Sequence, residues 1–491
     1  MTRPFQRFPL VLTPLAPIHI GSGDDLDWTR AVLDPKRCEL VLFDPLAVRL
    51  DPARAQKLGD LALQATRADD LISLQRELKA ASKWLAGASS SRLHLTASMA
   101  KDLERAVGYN VQAGQSGAGT VANQLIIARH AIDPSSGSVY VPASSLKGAI
   151  RTAEIDERDR KRNTGDRNEP RPDPELDPSD DLLGRFQDSP FARVLLSDLR
   201  PTTPIAGLVA HVRNERRGFR GDRSDDGVTV RAELIPPFVA GAFCGDLRVH
   251  VSRGDRDRRQ GPDIHALLRT AHAFHGQLFD FFKGQLEREQ RGLPQGWAAG
   301  IVRMLGEEPL ASALGQGRAA LVRLGKFCSA ESKTLAWRSV RIPQAQPPSP
   351  ARVLNPYTLW LADLGMMGRL PLGWALLELG EEPCAAVQDF CTRFAPEAHE
   401  PAPPPPPEPE SPASERIITD RSPPNRNRIG DLADLSEAGA DVRTMLQNLA
   451  NQSRNWPAED RALLVRLYHA RLRDRLPGHV RQNLDKRLPS A

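Results

Sequence analysis

Lys147 and Arg151 stand one helical turn apart in VYVPASSLKGAIRTA, residues Val139–Ala153. An apolar, β-branched run ends at Pro142, and a helical pattern begins after it. Such a junction presents unpaired backbone N–H groups and the positive pole of a helix dipole. Ser144 and Ser145 suit the N-cap and bring hydroxyl donors. Gly148 permits close approach to the backbone, and Lys147 and Arg151 supply positive charge. The set suits a phosphate group. An ordinary capped helix with one solvated lysine would show the same local pattern.

A second strand end, LTPLAPIHIGSGDD, spans Leu12–Asp25. Gly21, Ser22 and Gly23 read as a loop whose bare backbone can lie against a ligand. His19 precedes it and taken alone reads equally well as a core or capping histidine. A third stretch, HVRNERRGFRGDR (His211–Arg223), holds five arginines against two acids. Arg213, Arg216, Arg217 and Arg220 flank Phe219, a face on which a base could stack. The stretch lies between strand-like segments and reads as a protruding hairpin or loop, with a solvated charged loop as the plainer alternative.

Other chemistry is less well supported. His265, His272 and His275 fall within about 80° of one another on a helix, but no H-E-x-x-H pattern exists, so no metal or other cofactor is expected. The five cysteines contain no C-x-x-C pair, which argues against a disulfide framework or zinc ribbon and for a reducing cytoplasm. Cys384 and Cys391 read as buried apolar residues. No window has the roughly 18 uninterrupted apolar residues of a membrane span, and MTRPFQRFPLVLTPLAP lacks a signal-peptide core. A soluble cytoplasmic protein with no membrane partner is expected.

The elements that must position these residues alternate without a strict βαβα repeat. The chain has 491 residues, 40% of them hydrophobic, enough for two or three domains with sizeable cores. FPLVLTPLAPIHI, ELVLFD, NQLIIARHAI, SVYVPA and ARVLLSDLR read as strands. Asp60–Leu85 and IHALLRTAHAFHGQLFDFFKGQLERE read as helices. The fold class is α+β, and one or two ferredoxin-like βαββαβ units suit the order. DERDRKRNTGDRNEPRPDPELDPSDD, residues 156–181, reads as a polar surface insertion. Nine of the 17 residues from Pro396 to Pro412 are proline, which cannot pack a core. The expected organisation is an N-terminal domain over 1–255, a second α+β or helical region over 256–395, a Pro-rich flexible linker over 396–428, and a basic helical module over 429–491. In the last, Val465, Tyr468, Leu472 and Leu476 share one helical stripe.

Taken together, LTPLAPIHIGSG and VYVPASSLKGAIRTA resemble the RAMP superfamily of CRISPR RNA-binding proteins. RVLLSDLRP, with Ser197 and Asp198, LVRLGKFCSAESKTLA and LPLGW extend the resemblance over about residues 8 to 380. Ala143 stands where the family pattern has glycine, and Gly325 is followed by Phe327-Cys328-Ser329 where more glycine is usual. The order of motifs is most similar to the subunit that caps one end of type III-A (Csm) effector complexes. That resemblance implies an RRM-like core and a binding role at the 3′ side of the CRISPR guide RNA. It also implies neighbouring RAMP backbone subunits as partners, with target RNA and a trimming nuclease as further candidates. His19, Gly21–Gly23, Ser144, Ser145, Lys147, Gly148, Arg151, the 213–220 arginines with Phe219, Lys326 and Lys333 are the residues expected at RNA or at an adjoining subunit. Two alternatives stand beside this reading. One is a metal-independent endoribonuclease with His19 as general base. The other is a different RAMP subunit of the same complex.

Overall fold

The computed structural model describes residues 5–44, 52–64, 68–81, 85, 89–106, 111–113, 120–122, 126–133, 136–162, 182–185, 189–216, 227–251, 261–289, 293–335, 340–342, 351–353, 358–395, 429, 440–473, 476 and 478–488. They fall into two compact units, 1–397 and 398–491.

The strand Phe5–Pro14 is the centre of the first unit. Its Leu10, Val11 and Leu12 are at most 1% exposed, because both faces of the sheet around it are covered. On one side it pairs antiparallel with Phe243–His250, on the other with Trp374–Leu379. Val194–Leu196 and Arg200–Pro201 pair with the far edge of Phe243–His250. The helices Ala143–Arg162 and Ile264–Glu289 fall between these strands in the chain. The order is that of a βαββαβ unit, with Trp374–Leu379 as the fourth strand and Ala319–Arg323 added outside it. The expected α+β, ferredoxin-like class therefore describes the unit. Strands from either side of residue 255 share this one sheet.

The two helices cover one face. Leu146, Ile150 and Ala153 from the first and Leu268 and Ala271 from the second meet Leu12, Phe243, Val322 and Leu377. The other face packs Trp374, Leu321 and Leu376 against Phe279, Phe282 and Trp297 and against Ala210, Val212 and Leu234 of a second sheet. That nine-stranded sheet begins at an edge with Gly21–Asp25, followed by Ile127–His130, Thr229–Leu234 and Leu208–Arg216.

Three sequence expectations change in detail. The Asp60–Leu85 region forms two helices, Pro52–Gln64 and Ala68–Ala80. SVYVPA contributes single bridges at Val139 and Val141 rather than a strand. The polar run expected to leave the fold at residue 156 stays helical to Arg162, with Asp156 and Asp159 buried. Its opposite charges recur four residues apart, Glu154–Arg158, Asp156–Arg160 and Glu157–Lys161, and so pair along the helix. Residues 163–181 of the expected insertion lie outside the described residues.

The second unit is helical: Ala440–Gln452, Ala458–Leu467 and Gly478–Arg487, with a wider turn at Tyr468–Leu472. It has its own core of Ile429, Leu446, Leu449, Leu464, Leu467, Tyr468, Leu472, Leu476, Leu484 and Leu488. Three of the four residues of the expected stripe are buried, and Val465 packs at its margin. The described residues contain no helix long and apolar enough to cross a membrane.

Candidate nucleic-acid interface

Three segments far apart in sequence line one open groove of about 360 Å³. Ile20 and Gly21 come from the first motif. Ser144, Ser145, Gly148 and Thr152 come from the start of the Ala143–Arg162 helix. Arg323, Gly325, Lys326, Cys328, Ser332 and Lys333 come from the strand end and loop after Ala319–Arg323.

Backbone hydrogen bonds hold the segments together. Lys326 N donates to His19 O at 2.8 Å. Ile20 N donates to His130 Nδ1 at 2.9 Å, and His130 Nε2 donates to Tyr140 O at 3.1 Å. One fully buried imidazole thus ties the end of the first motif to the segment that leads into the second. It must be neutral, since Nδ1 accepts, and burial pushes its pKa down to about 3. His19 lies beside it and is also fully buried. Its Nδ1 donates to Glu233 O at 2.7 Å, and burial holds its pKa below the ordinary histidine value. Glu233 is itself buried, with Arg129 Nε at 2.5 Å and His130 N at 3.2 Å. The first motif is therefore anchored from beneath by a paired charge and two neutral histidines.

At the helix start the first N–H, from Ala143, meets the Asp198 carboxylate at 2.8 Å. The N-cap role expected of Ser144 or Ser145 is thus taken by Asp198 on another segment, and both serines sit in the first turn, facing the groove. Lys147 does not face it. Its Nζ donates to Val194 O at 2.8 Å amid Ile150, Phe191, Leu247 and Leu268, and burial lowers its pKa. Arg151, one turn further on, is half-buried and does not line the groove either.

The third segment turns through left-handed conformations at Gly325 (φ 93°), Phe327 (φ 62°) and Ser329 (φ 63°). Two of the three are not glycine, so packing must compensate for the strain. Phe327 meets the rings of Trp360 and His19 at 4.8 and 5.3 Å. Ser332 Oγ donates to Cys328 O and Thr334 Oγ1 to Ala330 O. Lys326 and Lys333 remain exposed. Arg323 is 2% exposed, donates to Leu372 O, and lies over the rings of Phe282 and Trp374.

The structure therefore gathers Gly21, Ser144, Ser145, Gly148, Lys326 and Lys333. Ser22 and Gly23 are exposed on the edge strand Gly21–Asp25, which replaces the expected loop, and do not line the groove. Arg213 is exposed on Leu208–Arg216, an arm of the expected hairpin paired with Thr229–Leu234. Arg216 ends that strand, and Arg217, Phe219 and Arg220 lie outside the described residues. Sequence reasoning missed Thr152, Arg323, Cys328 and Ser332. Thr152 is four residues beyond Gly148 and could have been found from helical spacing; Arg323 ends a buried strand and carries no such signal. The histidines of the long helix serve packing. His265 bonds Gly317 O, His272 accepts from Leu321 N, and His275 is buried with its pKa pushed down to about 3. Among the described residues no cluster of three His, Cys, Asp or Glu side chains suits a metal ion.

The RAMP superfamily model matches residues 11–278, more than half of the chain and all but the third of these segments. The chain belongs to the RAMP superfamily. Among solved structures, this RAMP protein is similar to a chain of a Csm–crRNA–target RNA ternary complex in a type III-A CRISPR-Cas system. They share 16% identity, with a TM-score of 0.46, covering 76% of this chain and 100% of the other. It is also similar to Csm5 of T. onnurineus, at 16% identity and a TM-score of 0.32, covering 75% of this chain and 99% of that one. No curated protein sequence matches it.

Proposed function

We propose that this RAMP protein is a non-catalytic subunit that caps a type III-A CRISPR ribonucleoprotein. It holds the 3′ part of the guide RNA and docks on an adjacent backbone RAMP subunit. The reading is carried by one observation: the two family motifs and the Gly325–Lys333 loop form the walls of a single groove. Exposed amides, serine hydroxyls and lysines suit a ribose-phosphate chain, because phosphate contacts dominate nucleic-acid affinity. The binding role over a nuclease role is supported by the state of the histidines. A general base must reach the proton it takes, whereas His19 and His130 are both fully buried and hydrogen-bonded to backbone.

Guide-RNA affinity measured against KCl tests the reading. Lys326→Ala with Lys333→Ala removes two cations, so the slope of log affinity on log salt falls by about 1.4. Lys147→Met, which removes a cation that points elsewhere, leaves that slope unchanged and costs about 1–2 kcal/mol of stability for its lost charged hydrogen bond. A double variant with the parental slope would overturn the groove assignment. Incubation with repeat RNA in EDTA gives no site-specific cuts; cuts abolished by His19→Ala would instead identify an endoribonuclease.

A further inference from the structure

The helices of the second unit carry a local excess of positive charge. The whole sequence holds 66 Lys/Arg and 61 Asp/Glu, a net charge of +5. Residues 440–491 contain ten of the basic residues and five of the acidic ones, which leaves residues 1–439 neutral. The positive excess therefore sits on the helical stretch from residue 440 onward; over the whole unit, residues 398–491, fourteen basic residues meet thirteen acidic ones.

The structure sorts these charges. Asp460 is 1% exposed in the first turn of Ala458–Leu467, where the helix dipole favours an acid, and Glu459 precedes it. Asp485 accepts from Tyr468 Oη at 2.8 Å and from Arg473 Nε and Nη2 at 2.9 and 3.0 Å. Those bonds hold its carboxyl below the ordinary range, while burial and Asp485 raise the Tyr468 phenol. Asp460 and Asp485 thus serve the fold of the module, while Glu459 is exposed. The cations Arg454, Arg461, Arg466 and Lys486 are exposed. Among the described residues, none of the four has a carboxylate partner; Arg473–Asp485 is the ion pair there. The module's own core accounts for its folding, so these outward cations are not needed to stabilise it.

We infer that this module is a second RNA-binding surface, taking single-stranded RNA by its phosphates without reading its sequence. It rests on the RNA-binding reading of the groove and lengthens the stretch of RNA that one chain engages. A polyphosphate chain fits better than an acidic protein surface for a stated reason. The cations are spread over Ser453–Asn455, Ala458–Leu467 and Gly478–Arg487 rather than set against one fixed counter-face, and a flexible polyanion can follow such a distribution.

The test uses the full chain carrying Arg454→Gln, Arg461→Gln, Arg466→Gln and Lys486→Gln, beside the Lys326→Ala, Lys333→Ala groove variant. Binding to labelled single-stranded RNAs of increasing length is followed by fluorescence anisotropy between 50 and 200 mM KCl, with circular dichroism as a check that the four exposed changes preserve the fold. Each phosphate contact on a single strand adds about 0.7 to the salt slope. The parent therefore loses about 50-fold more affinity across that range than the fourfold variant does. The difference appears with long RNAs, vanishes with short ones, and adds to the effect of the groove variant. A parental slope in the fourfold variant, with a reduced slope in the groove variant, overturns the second surface and leaves the groove reading intact. Parental slopes in both overturn both. Displacement of the module by polyglutamate with no dependence on RNA length assigns the cations to an acidic protein and also overturns the inference.

Discussion

Arg129→Ala is expected to destabilise the protein by about 3–5 kcal/mol at neutral pH, the range for removing one partner of a buried ion pair. The Glu233 side chain is 1% exposed and that of Arg129 14%. Without the guanidinium, the carboxylate is buried with only the His130 N–H to meet it. The pH dependence has a definite sign. Burial already raises the pKa of Glu233 above the ordinary glutamate value, and Arg129 works against that rise. The folded form therefore binds a proton more readily than the unfolded chain does. Stability is greatest with the group protonated and declines as pH rises from the ordinary carboxylate value through the folded one. Removing Arg129 pushes the folded value further up, so the decline in the variant is deeper and extends to higher pH. Urea unfolding of parent and variant between pH 4.5 and 8 would show the two converging at the acid end. A gap that stays constant across the range would contradict the assignment. Because Glu233 O also holds His19, and Glu233 Oε2 the His130 amide, the variant should also lose RNA affinity under the function proposed above.

Gly325→Ala is expected to cost about 3 kcal/mol, combining a strained left-handed alanine with a steric clash. A Cβ there would run into His19 O, the backbone acceptor of the Lys326 amide. Backbone cannot rotate aside as a side chain can, so the loop must lift from the first motif and open the groove. Gly23→Ala is the control. Its φ is 94°, but nothing lies within 4 Å of the added atom, so it carries the conformational cost alone, about 1 kcal/mol. Urea midpoints for the two variants separate contact from conformation; equal losses would mean that the Gly325 contact is unimportant.

Much of the fold can be read from single segments, for reasons that differ by segment. Leu10-Val11-Leu12 reads as a strand because continuous apolar β-branched and leucine residues suit a position covered on both faces. The Ile264–Glu289 helix reads as one because its apolar residues recur on a single face over 26 positions. Asp156–Arg162 misleads because a run of charges resembles a solvated loop unless their four-residue spacing is weighed. The site divides likewise. Gly21, Ser144, Ser145 and Gly148 announce themselves as strand-end and helix-start residues. Lys147 carries the same signal as its neighbours and yet turns to Val194 O, since the direction of a side chain on a helix depends on what packs beside it.

What the amino-acid order determined by itself is local: which stretches extend, which coil, where glycine and serine leave backbone bare, and where the net positive charge lies. Only the tertiary structure decided that residues 21, 144 and 325 share a groove, that Asp198 caps a helix begun 55 positions earlier, and that His130 joins two motifs. Those contacts arise from antiparallel pairing and packing between distant segments, and no local propensity encodes the partner of a buried hydrogen bond.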